Sequence, residues 1–237
     1  MWRIKKGAIV EILGIIPARG GSKGIKRKNL KEILGKPLVA YSIEAGINSK
    51  LVTKVVVSTE DSEIKEISLK YGAEVIDRPI ELAKDETKTA PVMMHVLDEL
   101  EKDGYKPDYV VLLQPTSPQR NGEFLDKALE FFFENKEYDS CFSGYLFNIS
   151  HSKWIKSKNG KMNAIYDYHK RPRRQETEEH YDIISEDGAF YVLSYENFRK
   201  YEDFLGNNPI AYLGGRFIDL DTEEDLKLIE ADLSKND

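Results

Sequence analysis

The residues best suited to chemistry are three fixed positive charges in a glycine-rich segment near the N-terminus. Arg19, Lys23 and Lys28 lie within residues 16–30, among glycines. Glycine lets a backbone approach a ligand closely and point N–H groups at it, and charge-assisted bonds to phosphate are among the stronger polar contacts. The segment therefore indicates a triphosphate site, with a solvated basic loop as the alternative.

The segment does not match the common nucleotide-binding motifs. A Walker A loop requires Lys and then Ser or Thr after its last glycine, whereas Gly24 is followed by Ile25. The spacing of the glycines also differs from the Gly-x-Gly-x-x-Gly turn of dinucleotide-binding proteins. A different kind of nucleotide site is therefore expected.

Asp219 and Asp221, near the C-terminus, are candidate ligands for a divalent cation. In a strand, residues two apart point to the same face, so both carboxylates could address one ion. Mg²⁺ prefers a few carboxylates together with water and phosphate oxygens. Asp221, Thr222 and Asp225 are equally typical of the capped start of a helix. Local sequence leaves both interpretations open.

Apolar runs that alternate with helical segments predict the elements that must position these residues. The predicted strands cover residues 12–18, 55–57, 74–76, 109–113, 189–193 and 217–220. The predicted helices cover residues 37–47, 61–71, 91–100, 122–134 and 222–233. This order predicts an α/β fold with a doubly wound, mostly parallel sheet. Ligands bind beyond the carboxyl ends of such strands, so the loops that follow the strands should carry the chemistry.

Length and composition limit the class of protein. The 237 residues suffice for one α/β domain, and we expect a single domain over residues 1–237. A net charge of −6 disfavours general nucleic-acid binding. Glu11 and Pro17 interrupt the apolar run near the N-terminus, and no other stretch is long and apolar enough to cross a membrane. Because Cys141 is the only cysteine, the composition suits a reducing cytoplasm.

Residues 150–187 interrupt the alternating pattern. They are polar, rich in His, Lys, Arg and Tyr, and have no clean helical period. Aromatic side chains such as Trp154 and Tyr166 would bury surface somewhere. We therefore predict an inserted arm in place of a linker.

The basic segment resembles the signature of the acylneuraminate cytidylyltransferases, also called CMP-sialic acid synthetases. Residues 16–24 read Ile-Pro-Ala-Arg-Gly-Gly-Ser-Lys-Gly, and Lys28-Asn29-Leu30 closes the signature. Relatives that activate legionaminic or pseudaminic acid share it, whereas the 3-deoxy-manno-octulosonate enzymes usually lack the Gly-Gly-Ser-Lys-Gly form. Further similar segments follow in a consistent order at residues 57–59, 78–83, 112–118, 173–175, 188–191 and 218–222.

The resemblance implies a Rossmann-like nucleotidyltransferase that moves CMP from CTP to the anomeric hydroxyl of an acidic nine-carbon sugar and releases pyrophosphate. It implies Mg²⁺ or Mn²⁺ as cofactor, held by Asp219 and Asp221. The implied nucleotide-binding residues are Arg19, Gly20, Ser22, Lys23, Lys28, Asn29, Arg78 and Ala83. The implied sugar-binding residues are Gln114, Thr116, Ser117, Arg120, Arg174, Gln175 and Tyr191. Arg19, Lys28 and Asp221 are the implied catalytic residues.

The resemblance also implies a homodimer in which the arm reaches the neighbouring subunit's site. Arg174 is then the candidate anchor for the sugar carboxylate, and a solvated charge run is the alternative. The chain departs from the family pattern after Gln175, where acidic residues replace a Leu-Pro stretch, and at Gln119, where the family often has Leu. The acidic stretch leaves open which sugar is used and whether Arg173 or Arg174 binds it.

Three other functions are compatible with part of this sequence pattern. A cytidylyltransferase for 3-deoxy-manno-octulosonate would change only the sugar. A nucleotide-sugar glycosyltransferase would also use an Asp-x-Asp pair, but that pair usually follows a middle strand and here it lies near the C-terminus. A regulatory nucleotide-binding module would not need both the basic loop and the acidic pair. The order of the motifs favours the cytidylyl transfer.

Overall fold

The computed structural model describes residues 4–5, 8–22, 24–147, 154–158, 161–164, 169 and 183–235. Within these ranges the strands are β1 (Ile4–Lys5), β2 (Ala8–Ile9), β3 (Ile12–Pro17), β4 (Glu32–Ile33), β5 (Lys36–Pro37), β6 (Lys54–Thr59), β7 (Glu74–Asp77), β8 (Tyr109–Leu112), β9 (Ser140–Phe147), β10 (Trp154–Lys156), β11 (Met162–Ala164), β12 (Ile183–Ser194) and β13 (Pro209–Tyr212). The helices are α1 (Leu38–Asn48), α2 (Ser62–Lys70), α3 (Thr89–Lys102), α4 (Gly122–Glu134), α5 (Tyr195–Tyr201) and α6 (Glu223–Leu233). Two 3-10 turns cover Lys28–Leu30 and Ile80–Ala83.

A seven-stranded sheet has the order β13-β9-β12-β8-β3-β6-β7. Its strands β8, β3, β6 and β7 are mutually parallel. Strand β12 runs antiparallel to both β8 and β9, and β13 runs parallel to β9. The parallel half brings the carboxyl ends of four strands to the same edge, where a doubly wound sheet binds its ligands.

Side chains that alternate along a strand point to opposite faces of the sheet. Helices cover both faces, so both sets of side chains are buried. In β3, Ile12 and Ile16 pack in the core formed with α1, α2 and α4. Leu13 and Ile15, on the other face, pack in the core formed with α3 and α5. The central strands are therefore apolar on both sides, as the sequence predicted for a buried parallel sheet.

A third apolar cluster joins the basic loop to the C-terminal segment. Ile25 and Ile33, from the loop region, pack with Leu220 of that segment and with Leu226 and Ile229 of α6. Burial of these side chains holds the two sequence-distant segments together, since apolar area removed from water stabilises by about 25 cal/mol per Å². The cluster thereby brings Asp221 beside the loop.

The predicted strand over residues 217–220 is wrong. The segment has no partner strand among the described residues. Its main chain bonds to the loop after β8, since Leu220 N donates to Thr116 O at 2.9 Å and Ile218 N donates to the Gln119 side chain at 2.8 Å. Asp219 and Asp221 are therefore placed near each other by this irregular segment and not by strand alternation.

The predicted arm over residues 150–187 falls largely outside the described residues. Its described parts include the hairpin of β10 and β11, and the start of β12 at Ile183. Strand β12 is longer than predicted and pairs with β9, a strand that the sequence analysis missed. In the described ranges, each helix is too short or too polar to cross a membrane.

Candidate functional site

A cleft with a volume of about 340 Å³ opens beyond the carboxyl ends of the parallel strands. Its wall combines the basic loop, the loop after β7, the start of α3, the loop after β8 and the C-terminal segment. Eight residues predicted from the sequence line it: Arg19, Ser22, Lys28, Asn29, Arg78, Gln114, Thr116 and Asp221. The fold thus brings the basic loop and one of the two late aspartates to the same cavity.

Lys28 connects the basic loop to the acidic segment. It lies on a 3-10 turn that follows Arg27, whose backbone is left-handed with φ of 52°. Its Nζ donates to Leu220 O at 2.6 Å and lies 3.1 Å from Asp221 Oδ1. The Lys28 ammonium is mostly shielded from solvent, whereas the Asp221 carboxylate is exposed to the cleft. This arrangement suits a triphosphate with a bound cation, because the Lys28 ammonium can bond to phosphate oxygens and the Asp221 carboxylate can bond to the cation.

Arg19 bridges the basic loop to the loop after β7. Its Nη1 donates to Asp85 Oδ1 at 2.5 Å and to Ala83 O at 3.4 Å. Asn29 is buried and fixes the Arg19 main chain, because its Nδ2 donates to Arg19 O at 2.9 Å. The bonds to Asp85 and Ala83 therefore position the Arg19 guanidinium in the wall of the cleft.

Two glycines allow close approaches at the loop. A Cβ on Gly24 would lie 2.6 Å from Asp221 O, and a Cβ on Gly20 would lie 2.3 Å from Asp61 Oδ2. The amide of Gly20 donates to Glu60 Oε1 at 2.7 Å. Larger side chains at Gly20 and Gly24 would thus push the loop away from α2 and from the acidic segment.

Arg78 forms the floor of the cleft on the side of β7. Its Nη2 donates to Ser58 O at 2.6 Å, and its Nε donates to Ser58 Oγ at 3.2 Å. Burial lowers the pKa of Arg78 to about 10, while the charge of Glu60 opposes that change. The guanidinium therefore stays charged at neutral pH and is held rigidly. Ala83 does not line the cleft, and its carbonyl accepts from Arg19.

The loop after β8 supplies Gln114 and Thr116 to the cleft. The Thr116 hydroxyl is buried beside the Asp219 carboxylate but makes no hydrogen bond of good geometry among the described residues, and the Ser117 hydroxyl is also buried without a partner there. Buried polar groups are usually paired, so an unpaired hydroxyl in a cleft wall is a natural contact for a ligand or water. Ser117 is fully buried and does not line the cleft.

Arg120 is buried and does not line this cleft, so its contact with the sugar stays a prediction. It is 2% exposed, and its Nη1 donates to Ala189 O at 2.6 Å and to Gln114 O at 3.3 Å. Its Nη2 donates to Ser42 Oγ. Burial lowers the pKa of Arg120 to about 9, and the charge of Asp187 opposes that change. Arg120 thus ties the end of β8 to β12 and α1 through its two terminal nitrogens, whereas its buried Nε has no partner among the described residues.

Tyr191 is also placed away from the cleft wall. Its hydroxyl donates to Glu186 Oε2 at 2.9 Å, and its ring packs against Phe204 with centroids 5.2 Å apart. Burial and the charge of Glu186 raise the pKa of the Tyr191 phenol. Of the other predicted residues, Lys23, Arg174 and Gln175 lie outside the described residues.

The helix cap that competed with the metal interpretation is present, and it is made by Thr222 and Asp225 without the Asp221 carboxylate. Thr222 caps α6 and forms a capping box with Asp225, whose side chain accepts from the Thr222 amide at 2.8 Å. The Asp221 carboxylate takes no part in the cap and faces Lys28 and the cleft. The cap and a cation-binding role for Asp221 are therefore compatible.

Asp219 does not line the cleft, but its partly buried carboxylate lies near that of Asp221, and the two together could hold a Mg²⁺ ion beside nucleotide phosphates. Partial burial raises the pKa of Asp219, and the charge of Asp221 raises it further, while Thr116 and Lys28 oppose the change. A cation would relieve this repulsion between carboxylates. The described ranges contain no group of three or more His, Cys, Asp or Glu residues that could hold a metal. Two carboxylates plus phosphate oxygens and water are the set that Mg²⁺ prefers.

Four residues in the wall lie outside every segment that the sequence analysis assigned to the site: Lys84, Thr87, Thr89 and Val92. They come from the turn after Arg78 and from the first turn of α3. The available signal was the position of this stretch directly after a strand and before a helix, where ligands bind in such sheets. Lys84 adds a further positive charge to the cleft.

Comparison with protein families and sequences gives consistent matches. A family described as cytidylyltransferase matches residues 13–181. The pseudaminic acid cytidylyltransferase of Campylobacter jejuni subsp. jejuni serotype O:2 is 33% identical over 221 residues, which cover 91% of this chain and 93% of that protein. The N-acylneuraminate cytidylyltransferase of Escherichia coli O18:K1:H7 is 30% identical over 219 residues, which cover 90% of this chain and 49% of that protein.

Solved structures with the same fold include a synthetase and a synthase whose names refer to cytidine-nucleotide products. A CMP:2-keto-3-deoxy-manno-octonic acid synthetase complexed with CTP superposes with a TM-score of 0.67 at 17% identity, and covers 95% of this chain and 99% of that chain. The 4-diphosphocytidyl-2C-methyl-D-erythritol synthase from Anaerococcus prevotii gives a TM-score of 0.64 at 14% identity, with 95% and 99% covered. These likenesses confirm the predicted fold class.

Proposed function

The chain belongs to the cytidylyltransferase family, and from this premise we propose that it transfers CMP from CTP to the anomeric hydroxyl of a sialic-acid-like nonulosonic acid. The match of residues 13–181 to this family confirms the resemblance that residues 16–24 indicated. The relatives' names support an acidic nine-carbon sugar as acceptor, since they refer to pseudaminic, legionaminic and N-acylneuraminic acids.

The observation that carries the proposal is the contact between Lys28 and Asp221 in the wall of one cleft. A triphosphate laid along the basic loop would meet Lys28 and Arg19 on one side and the acidic pair on the other. The distance of 3.1 Å between Lys28 Nζ and Asp221 Oδ1 is short enough for Lys28 to contact a phosphoryl group directly while Asp221 reaches the same group through a cation.

The reaction is an in-line displacement at the α-phosphorus of CTP. The anomeric hydroxyl loses its proton to solvent as its oxygen forms a bond to that phosphorus, the bond from the phosphorus to the α,β-bridging oxygen breaks, and pyrophosphate leaves with that bond's electron pair. Lys28 and Arg19 lie where they can offset the charge that develops on the phosphoryl and leaving-group oxygens. Alignment and charge stabilisation then supply the rate gain without a covalent intermediate.

Asp219 and Asp221 would hold the Mg²⁺ or Mn²⁺ ion of the proposed reaction. When bound, the ion supplies charge stabilisation to the phosphate oxygens. The chain contributes the two carboxylates, and Lys28 keeps Asp221 directed at the cleft. Asn29 and Ser22 line the nucleotide side, and Arg78 provides a fixed positive charge beside the base.

Gln114 and Thr116 are the proposed contacts on the sugar side, because both line the cleft from the loop that follows β8. Ser117 and Tyr191 would then support this wall from behind. By resemblance, Arg174 and Gln175 of the arm extend the sugar site. We propose that the arm brings them to the neighbouring subunit of a homodimer.

A panel of acceptors tests the proposal. The purified chain is incubated with CTP, Mg²⁺ and, in separate reactions, N-acetylneuraminic, legionaminic, pseudaminic and 3-deoxy-manno-octulosonic acids, and pyrophosphate is measured. Release that needs both CTP and a nine-carbon acid supports the proposal. Release with only 3-deoxy-manno-octulosonate would move the function to the neighbour of similar fold. CTP binding without turnover on any acceptor would favour a regulatory module.

A further inference from the structure

The segment that carries Asp219 and Asp221 has no regular structure of its own. Residues 215–221 belong to no helix or strand. Two carboxylates can share one cation only if the backbone between them is held still, since a site must keep its ligands within about half an ångström of the right geometry. Bonds from outside the segment must therefore position the pair.

Three such bonds reach the residues that flank Asp219, and a fourth joins the Asp221 amide to Asp225 Oδ2 of α6 at 3.2 Å. Ile218 N donates to Gln119 Oε1 at 2.8 Å, and Leu220 N donates to Thr116 O at 2.9 Å. Lys28 Nζ donates to Leu220 O at 2.6 Å. The bond to Thr116 is made by a backbone atom, and Lys28 belongs to the proposed catalytic set. Gln119 is the side chain whose role can be tested without touching either.

Gln119 also bonds on the far side of the acidic pair. Its Nε2 donates to the Asp232 carboxylate, near the end of α6. Helix α6 begins directly after the segment, so a single amide group spans from the residue before Asp219 to the helix that follows Asp221. Gln119 is half-buried and does not line the cleft, so it has no direct contact with a ligand there.

We propose that Gln119 is a positioning residue for the cation site, and that its bond to the Ile218 amide fixes Asp219 and Asp221 in the geometry that lets them share one ion. The inference rests on the proposed cation role of the pair. Gln119 lies outside the cleft and would act on the cation site through the main chain of residues 215–221.

The test measures CTP binding by calorimetry, once with Mn²⁺ and once with EDTA, without any sugar. The ratio of the two dissociation constants reports how strongly the cation and the nucleotide are coupled. In Gln119→Leu the coupling ratio should fall by about three- to tenfold, the range expected for one neutral hydrogen bond. The dissociation constant in EDTA should stay within about twofold, because the basic loop is unchanged.

Asp232→Ala is the matched control. It removes the outer partner of Gln119 but keeps the bond to the Ile218 amide, so its coupling ratio should stay near that of the natural protein. A loss as large as that of Gln119→Leu would overturn the assignment to Ile218. Equal weakening of both dissociation constants in Gln119→Leu would also overturn it, because that pattern indicates general loosening of the fold.

A second variant covers the case in which Gln119→Leu fails to fold. The double variant Gln119→Glu with Asp232→Asn keeps an acceptor for the Ile218 amide and restores a bond between the two side chains with donor and acceptor exchanged. Its coupling ratio should match the natural protein, and a loss of threefold or more would contradict the inference. If the natural protein itself shows no coupling between Mn²⁺ and CTP, the proposed cation role fails, which is a separate outcome.

Discussion

Lys28 and Asp221 are 193 positions apart in the chain, yet Lys28 Nζ lies 3.1 Å from Asp221 Oδ1. The contact is made possible by the apolar cluster of Ile25, Ile33 and Leu220, which packs the C-terminal segment against the basic loop. It places the Lys28 ammonium and the Asp221 carboxylate in one wall of the cleft.

Lys28→Met should reduce kcat for pyrophosphate release by about 100- to 1,000-fold, the usual loss when one preorganised donor to a developing charge is removed. The measurement is steady-state turnover with CTP, Mg²⁺ and the preferred acid sugar. Lys31→Met is the control, because Lys31 pairs with Glu223 at 3.6 Å between the same two segments but does not line the cleft. Comparable losses in both variants would contradict the role of Lys28.

Asp221→Asn should lower turnover by orders of magnitude and leave the unfolding midpoint nearly unchanged, since the carboxylate makes no helix cap. Thr222→Ala should do the reverse, with a loss of about 1 kcal/mol in the free energy of unfolding and little change in kcat. Turnover assays and thermal unfolding on both variants separate the two roles. Near-normal activity of Asp221→Asn would end the cation assignment.

Arg120→Met should destabilise the protein strongly, by about 3 kcal/mol or more in the free energy of unfolding, because it leaves buried acceptors unpaired and removes the positive charge near Asp187. Adding Asp187→Asn should recover part of that loss. Denaturant unfolding of the single and double variants provides the values. A stable Arg120→Met protein with a raised KM for the sugar alone would instead support the direct contact predicted from the sequence.

The stability contributed by Asp61 should depend on pH. Although partial burial raises the pKa of Asp61, hydrogen bonds from the Ile64 amide and Arg27 outweigh it and hold the pKa below its ordinary value of 3.8. A lowered pKa contributes stability that is present above about pH 4 and is lost as the pH falls through the folded-state value. Asp61→Ala, which also removes the cap of α2, should thus cost about 1 kcal/mol at pH 7 and less at pH 3.

Urea unfolding of the natural protein and Asp61→Ala at the two pH values provides the comparison. Asp77→Ala is a suitable control, because Asp77 pairs with Lys65 on the same helix but caps nothing. A cost that is the same at pH 7 and pH 3 would show that the Asp61 charge contributes little.

The central strands were predictable because each carries a compact apolar run, as in Ile12–Pro17 and Lys54–Thr59. Strand Pro209–Tyr212 was missed because it is a short edge strand whose partner lies about 70 residues away in the sequence. Residues 217–220 have the alternation of a strand, but their amides bond to the loop after β8. Local pattern does not reveal which distant acceptor an amide will find.

The candidate site was predictable where a motif directly follows a strand. Arg19, Lys28, Arg78 and Gln114 all line the cleft as the position of their loops suggested. The burial of Arg120 was not, since it depends on acceptors from α1 and β12 that are far away in the sequence. Lys84 was missed for a similar reason, because only the folded turn after Arg78 brings it to the cavity.

The most direct test is a crystal structure of the protein with CTP and Mn²⁺, in which the anomalous signal locates the ion. The account predicts one Mn²⁺ at about 2.1 Å from carboxylate oxygens of Asp219 or Asp221, with phosphate oxygens completing its shell and Lys28 on the triphosphate. An ion and a triphosphate bound at another edge of the sheet, away from both aspartates, would contradict it.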